Sequence, residues 1–187
     1  MRKLAAFIQV SLDGYFADSD GGIDWAYRDP SDAEWNAFVA GNAKGGGQLL
    51  FGRITYEFMA SYWPTPMAAA NNPVVAERMN SLPKMVFSRT LDETPWQNTT
   101  LMKGDLVSEV RRSKQADGPD MAILGSGSIV AQLAQAGAID EFQIVVNPIV
   151  LGKGSALFDG IRESLPLQLT ATRSFGNGNV FLNYAPG

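Results

Sequence analysis

Short apolar runs alternate with helix-period segments from the N-terminus to about residue 146, and only strand-like segments follow. That order constrains the fold more than any single motif. Strands separated by helices make crossover connections and a parallel sheet, whereas strands joined by short turns add antiparallel edges. The strand segments are Leu4 to Val10, Gln48 to Phe51, Lys84 to Phe87, Thr99 to Met102, the run beginning at Met121, and Glu141 to Val146. Helices are expected over "DPSDAEWNAFVAGNAK", started by Pro30 and Ser31 with Trp35, Phe38 and Val39 on one face, over "RITYEFMASYW", and over "DLVSEVRRSKQ". A small helix is expected near Val74 to Met79, and "PTPMAAANNP" is the least structured stretch. Leu167 to Ser174 and Asn179 to Tyr184 flank "FGNGN", an Asn-Gly turn suited to an antiparallel hairpin. These features predict an α/β fold with a largely parallel sheet and an antiparallel C-terminal edge. No repeat or charged linker divides residues 1–187, so one domain is expected.

The chain contains no cysteine and no histidine. Disulfides, thiolate nucleophiles, sulfur-ligated metals and Ser-His-Asp triads are therefore excluded, and no metal centre is expected. Chemistry must come from carboxylates, Lys, Tyr, water or a borrowed cofactor. The formal net charge of −4 argues against a broad nucleic-acid surface. The apolar run Leu4 to Ile8 is too short for a signal peptide, and the sequence shows no membrane-length apolar run. A cytoplasmic enzyme is the expectation.

"MAILGSGSIVAQLAQAG" (121–137) reads as a strand turning through two glycines into a helix, with Ser128 expected to cap the first turn and Gly137 to end the last. Backbone N–H groups at a glycine-reached helix start suit an anion. Val130 stands where a dinucleotide fingerprint needs its third glycine, so a standard Rossmann site is not expected. A phosphate seat and a structural corner both fit the turn taken alone. Two more strand ends, Gly52-Arg53 and Ser88-Arg89, carry small or basic residues. In such folds ligands lie outside the carboxyl ends of the strands.

In order, "SLDGYF", "LLFGRITYEFM", "KMVFSRTL", "MAILGSGSIVAQL" and "NPIVLGKGSALF" resemble the dihydrofolate-reductase-like family. The closer resemblance is to its branch related to the reductase domain of the bifunctional riboflavin-biosynthesis deaminase-reductase. The resemblance spans essentially the whole chain and implies a three-layer dihydrofolate-reductase-like fold, a homodimer, and hydride transfer from NADPH to a small heterocyclic or ribosylamino substrate. Alternatives are a folate or pterin reductase, or a non-catalytic nucleotide-binding protein that keeps the fold.

By the same resemblance, Gly52, Arg53 and Thr55 hold part of the cofactor, and Ser88 and Arg89 meet its 2′-phosphate. The diphosphate would rest on Gly125, Ser126, Gly127, Ser128 and Ile129. The resemblance also sets Asn147 and Pro148 beside the substrate, with Lys153 as a donor to its phosphate; Gly14, Tyr15, Asp24 and Trp25 join them from loops at the expected mouth of the site, Asp24 as a further acid candidate. Hydride transfer also needs a proton. Asp13 is the expected catalytic acid, its pKa raised by burial beside Tyr15. Solvated or structural roles remain open for each: a turn former at Asp13, a strand terminator at Asn147, and a helix-end pair with Glu57 at Arg53. The dimer surface is expected on Ile144, Val146, Ile149 and Val150.

Overall fold

The computed structural model describes residues 1–26, 29, 31–45 and 47–187. Six strands run parallel: β1 (Leu4–Ser11), β3 (Gln48–Gly52), β4 (Lys84–Phe87), β5 (Thr99–Met102), β6 (Met121–Leu124) and β7 (Glu141–Asn147). The hairpin β9 (Leu167–Ser174) and β10 (Val180–Pro186) adds antiparallel to β7, giving the order β5-β4-β3-β6-β1-β7-β10-β9. A separate two-stranded piece pairs β2 (Tyr15–Ala17) with β8 (Ser155–Ala156). Neither short strand was expected, because each is too brief to carry an alternation.

Side-chain parity decides what each face does. On β1 the even residues Leu4, Ala6, Ile8 and Val10 enter a core with Leu50, Met121, Ile123, Phe142 and Ile144. That core is closed by α5 (Leu106–Gln115) and α6 (Gly127–Gln135), which contribute Val110, Ile129 and Leu133. The opposite face is covered at its two ends. At the β3–β4 end, α2 (Arg53–Tyr62) and α4 (Pro73–Ser81) pack Tyr56, Val75 and Met79 against Leu49, Phe51, Val86 and Trp96. At the β7–β10 end, Trp35 of α1 (Ala33–Gly45) packs with Val145 and Phe175, joined by Phe7, Phe38, Val39 and Phe181. The middle of this face, over β1 and β6, is where the two clusters leave a cavity.

Several local expectations are corrected. Pro30 lies outside the described residues, and the side chain that caps α1 is Asp32, not Ser31: Asp32 Oδ1 accepts the Trp35 N–H at 2.9 Å. The stretch expected to be least structured holds a helix, α3 (Pro66–Asn71), capped by Thr65 with a proline at its start. Neither feature needs an apolar period, which is why periodicity missed them. Ile144, expected at a dimer surface, lies in the protein's own core, and Val146 packs against it. Strand β7 is central, flanked by β1 and β10, and Val150 is the exposed apolar residue of that group.

Lys84 begins β4 and is 1% exposed. Its ammonium donates to the carbonyls of Leu82 (2.7 Å) and Asn80 (3.2 Å) and lies 4.5 Å from the Trp96 ring centroid. Burial pushes its pKa down to about 8. Between pH 8 and the ordinary lysine value of 10.5, the unfolded chain holds a proton that the folded chain has shed. Stability from this group therefore rises with pH across that window, by up to about 1.4 kcal/mol per unit. Lys84→Met removes the titration. Its stability relative to wild type should be most favourable below pH 8 and decline steadily toward pH 10.5, measured by urea unfolding of both proteins across that range.

Candidate active site

Strands β4, β3 and β6 are neighbours, so the three small-residue turns after them lie along one carboxyl edge of the sheet. The turn after β6 is unusual in its backbone: Gly125 (φ +63°) and Ser126 (φ +61°) are both left-handed. Ser126 occupies the cap position of α6, which corrects the expectation for Ser128; the latter stands exposed in the first turn. The Ser126 hydroxyl does not cap its own helix. It accepts the Gly52 N–H at 2.8 Å, joining the turn after β6 to the turn after β3.

The contacts around that bond are close. A β-carbon on Gly125 would meet the Thr55 methyl at 3.0 Å, and one on Gly52 would meet Ile129 and Ser126 at 3.5 Å. Ile129 is buried and bonds from its N–H to the Ser126 carbonyl, as Val130 does. The amides of Gly127 and Ser128 precede these first helical bonds, the usual place for unpaired donors. Gly127 also has a packing role, since a β-carbon there would fall 2.2 Å from the Phe16 ring.

At the end of β4, Ser88 Oγ accepts the N–H groups of Thr90 (3.1 Å) and Leu91 (3.0 Å) and lies 3.4 Å from the Thr90 hydroxyl. Arg89 is exposed, and its charge helps hold the Asp105 carboxyl below its ordinary pKa, after the dominant hydrogen bonds from Ser108. Lys103, which the sequence did not single out, donates to the carbonyls of Arg89 and Leu91. Arg53 is exposed and paired with Glu57 at 2.9 Å, as the helix-end alternative described.

A cavity of about 700 Å³ opens from this edge onto the uncovered middle of the sheet. Thr55, Gly125 and Ser126 line it, so the phosphate-type turn and the cavity are continuous. Its walls are mainly apolar: Phe7, Phe16, Trp25, Ile54, Phe58 and Leu124. Trp25 is set by a tight loop in which Asp18 Oδ1 accepts the N–H groups of Asp20 and Gly22. The Gly22 carbonyl in turn accepts from the Trp25 indole at 3.2 Å.

Of the expected substrate-side residues, Asp24 and Trp25 line the cavity; Asp13, Gly14, Tyr15, Asn147, Pro148 and Lys153 do not. Asn147 is fully buried and donates to the carbonyls of Val10 and Val145, which is the strand-terminating role. Pro148 faces Gly178 at the hairpin turn. Tyr15 pairs with Ala156, the Gly14 carbonyl accepts from Leu157, and Lys153 is exposed beside them.

Asp13 reverses the expectation made for it. It is exposed, and the Ser11 hydroxyl first, then the N–H groups of Gly152 and Leu151, hold its pKa down at about 2. A carboxylate clamped by donors is an anchor, not an acid. The wall residues Phe7, Phe16, Ile54 and Phe58 were missed because an apolar residue facing a cavity reads like one facing a core.

These features accord with relatives. The chain matches the family described as the RibD C-terminal domain over residues 2–181. It belongs to that family. It is 31% identical over 183 residues to the uncharacterized protein YwjB of Bacillus subtilis (strain 168), covering 98% of this chain and 97% of YwjB. A crystal structure of a protein from Shewanella sp. PV-4 superposes with a TM-score of 0.75 at 24% identity, covering 99% of both chains. Dihydrofolate reductase from Enterococcus faecalis, complexed with NADP(H), superposes with a TM-score of 0.63 at 16% identity, covering 99% of this chain and 96% of that one. The dihydrofolate-reductase-like fold expected from the sequence is thus the one found, in a reductase-like family.

Two outcomes follow from the geometry. Gly127→Ala should destabilise the fold by roughly 1–3 kcal/mol through the Phe16 ring. Adding Phe16→Leu should recover part of that loss, a coupling read from urea unfolding of the two single variants and the double. The Gly152 amide shift, followed by NMR, should titrate with a midpoint near 2 as Asp13 protonates. In Asp13→Asn that titration should vanish.

Proposed function

We propose that the protein is an NADPH-dependent reductase that transfers hydride to a small heterocyclic or ribosylamino substrate. The kind of reaction would be that of the 5-amino-6-(5-phosphoribosylamino)uracil reductase step of riboflavin synthesis. The observation that carries this reading is the continuity of the Gly125–Ser126 turn with the apolar cavity. A dinucleotide has an anionic centre and a flat, uncharged reacting ring, and the two parts of this site have those two characters.

The residues present fit such a group. The left-handed pair at 125–126 sets the Gly127 and Ser128 amides at the start of a nine-residue helix, a favourable position for phosphate oxygens. Thr55 and Gly52 border the same turn, and Ser88 and Arg89 supply a hydroxyl and a guanidinium at the next strand end but one. When bound, NADPH supplies the hydride. The protein's part is to orient the reacting rings between Phe7, Phe16 and Trp25 and to exclude water. Asp24, beside Trp25, is the carboxylate of our sequence reading that reaches this wall, and we assign it to orienting the substrate or holding the proton.

NADPH should bind more tightly than NADH. Arg89→Ala should weaken NADPH by about one to two decades, the worth of one charge-assisted contact, and leave NADH nearly unchanged. Fluorescence titration of both cofactors against both proteins checks this. Equal losses for the two would remove Arg89 from the 2′-phosphate, and no NADPH binding by the wild type would end the cofactor assignment.

A further inference from the structure

Three polar side chains of the sheet line the cavity: Glu141 and Gln143 of β7, which are bonded to each other at 3.0 Å, and Gln9 of β1. Gln9 follows Phe7 on the same face of β1 and is paired across to Val145 of β7. On the other side, pairing with β6 ends at Phe7 and Leu124, so beyond them the chain is already the Gly125–Ser126 turn. Gln9 therefore stands where the cavity meets that turn. Its Oε1 is shut off from solvent and receives no hydrogen bond among the described residues.

A buried carboxamide oxygen without a donor costs stability, and a Leu or Met of similar size would line the wall without that cost. Among the described residues no donor fixes this oxygen, so the amide can turn about its last torsion, which is broad and soft. A primary amide presents one acceptor and two donors side by side. Its complement is a ring edge carrying N–H next to C=O, which it can bind through two parallel hydrogen bonds. The aromatic walls at Phe7, Phe16, Trp25 and Phe58 suit the faces of such a ring.

We infer that Gln9 determines specificity by recognising the lactam edge, N–H beside C=O, of a flat heterocyclic substrate. This rests on the cavity being the substrate seat, as proposed above, and not on the identity of the cofactor.

The test is calorimetric binding of 2-quinolinone and its N-methyl derivative to the wild type and to Gln9→Leu, with NADPH binding measured separately. The wild type should prefer 2-quinolinone by about tenfold or more, the scale of losing a hydrogen-bonded partner in a closed site. Gln9→Leu should lose that preference and melt at a higher temperature than the wild type. Gln9→Met, with an unbranched chain of nearly the same length, serves if the Leu variant does not fold. Equal affinities in the wild type, a preference retained without Gln9, a lower melting temperature in the variants, or no binding of either compound would each overturn the inference. A wild type that shows the lactam preference but does not bind NADPH would sustain it while sinking the cofactor assignment.

Discussion

The hydrogen bond from the Gly52 N–H to Ser126 Oγ joins two turns whose residues stand 74 apart in the chain, and the shape of this carboxyl edge depends on it. Two adjacent parallel strands fix the distance between their carboxyl ends, but not the path that each chain takes on leaving the sheet. Ser126 sets that path. With φ at +61° it would be strained in an ordinary turn, and its hydroxyl would normally satisfy the helix it begins. Here the hydroxyl is spent on the neighbouring turn. The first amides of α6 are thus left without their customary cap, at the place where a ligand oxygen could serve as one.

The second constraint is how the sheet is covered. One face is closed along its length by α5 and α6, and the other only at its ends, by the α2–α4 group and by α1. A cavity lies on the uncovered middle because β1 presents Phe7 and Gln9 there while sending Leu4, Ala6, Ile8 and Val10 to the closed face. The same strand is core on one side and cavity wall on the other. The concave site follows from this partial cover, and it meets the turn after β6 at Gly125 and Ser126 and the start of α2 at Ile54 and Thr55.

The succession of strands along the chain and the glycine turns were legible because their signals are local. Lys84–Phe87, Thr99–Met102 and Leu167–Ser174 have the bounds expected of them, and Gly137 closes α6 with a left-handed φ of +62°. The substrate side was not legible, for a physical reason. Phe7, Ile54 and Phe58 face empty space that exists only after distant elements fail to meet above them, and residue type does not record that failure. Asn147 was drawn to the site by its position at a strand end. Its two bonds to Val10 and Val145 show instead that a buried amide finishes the parallel pair. Gln9 offered a usable sign, a large polar residue inside an apolar strand, but a single polar residue in a buried run gives no hint of which face it takes.

Asp13 shows how a residue beside a site can govern it without entering it. Donors lower its pKa to about 2, so at neutral pH it is wholly anionic and cannot deliver a proton. Its two oxygens hold the N–H groups of Leu151 (3.1 Å) and Gly152 (2.7 Å), fixing where the 151–154 segment starts. That segment passes so close to the preceding loop that a β-carbon on Gly154 would strike the Ala17 carbonyl at 2.2 Å. Only glycine permits the approach, and it brings Ser155 and Ala156 into pairing with Ala17 and Tyr15. Between those paired residues stands Phe16, whose ring lies against Gly127 at the head of α6 and lines the cavity. The chain of contacts therefore runs from an exposed carboxylate to the aromatic ring at the Gly125–Ser126 turn. Asp13 thus meets the site only through position, by way of the 151–156 segment that pairs beside Phe16.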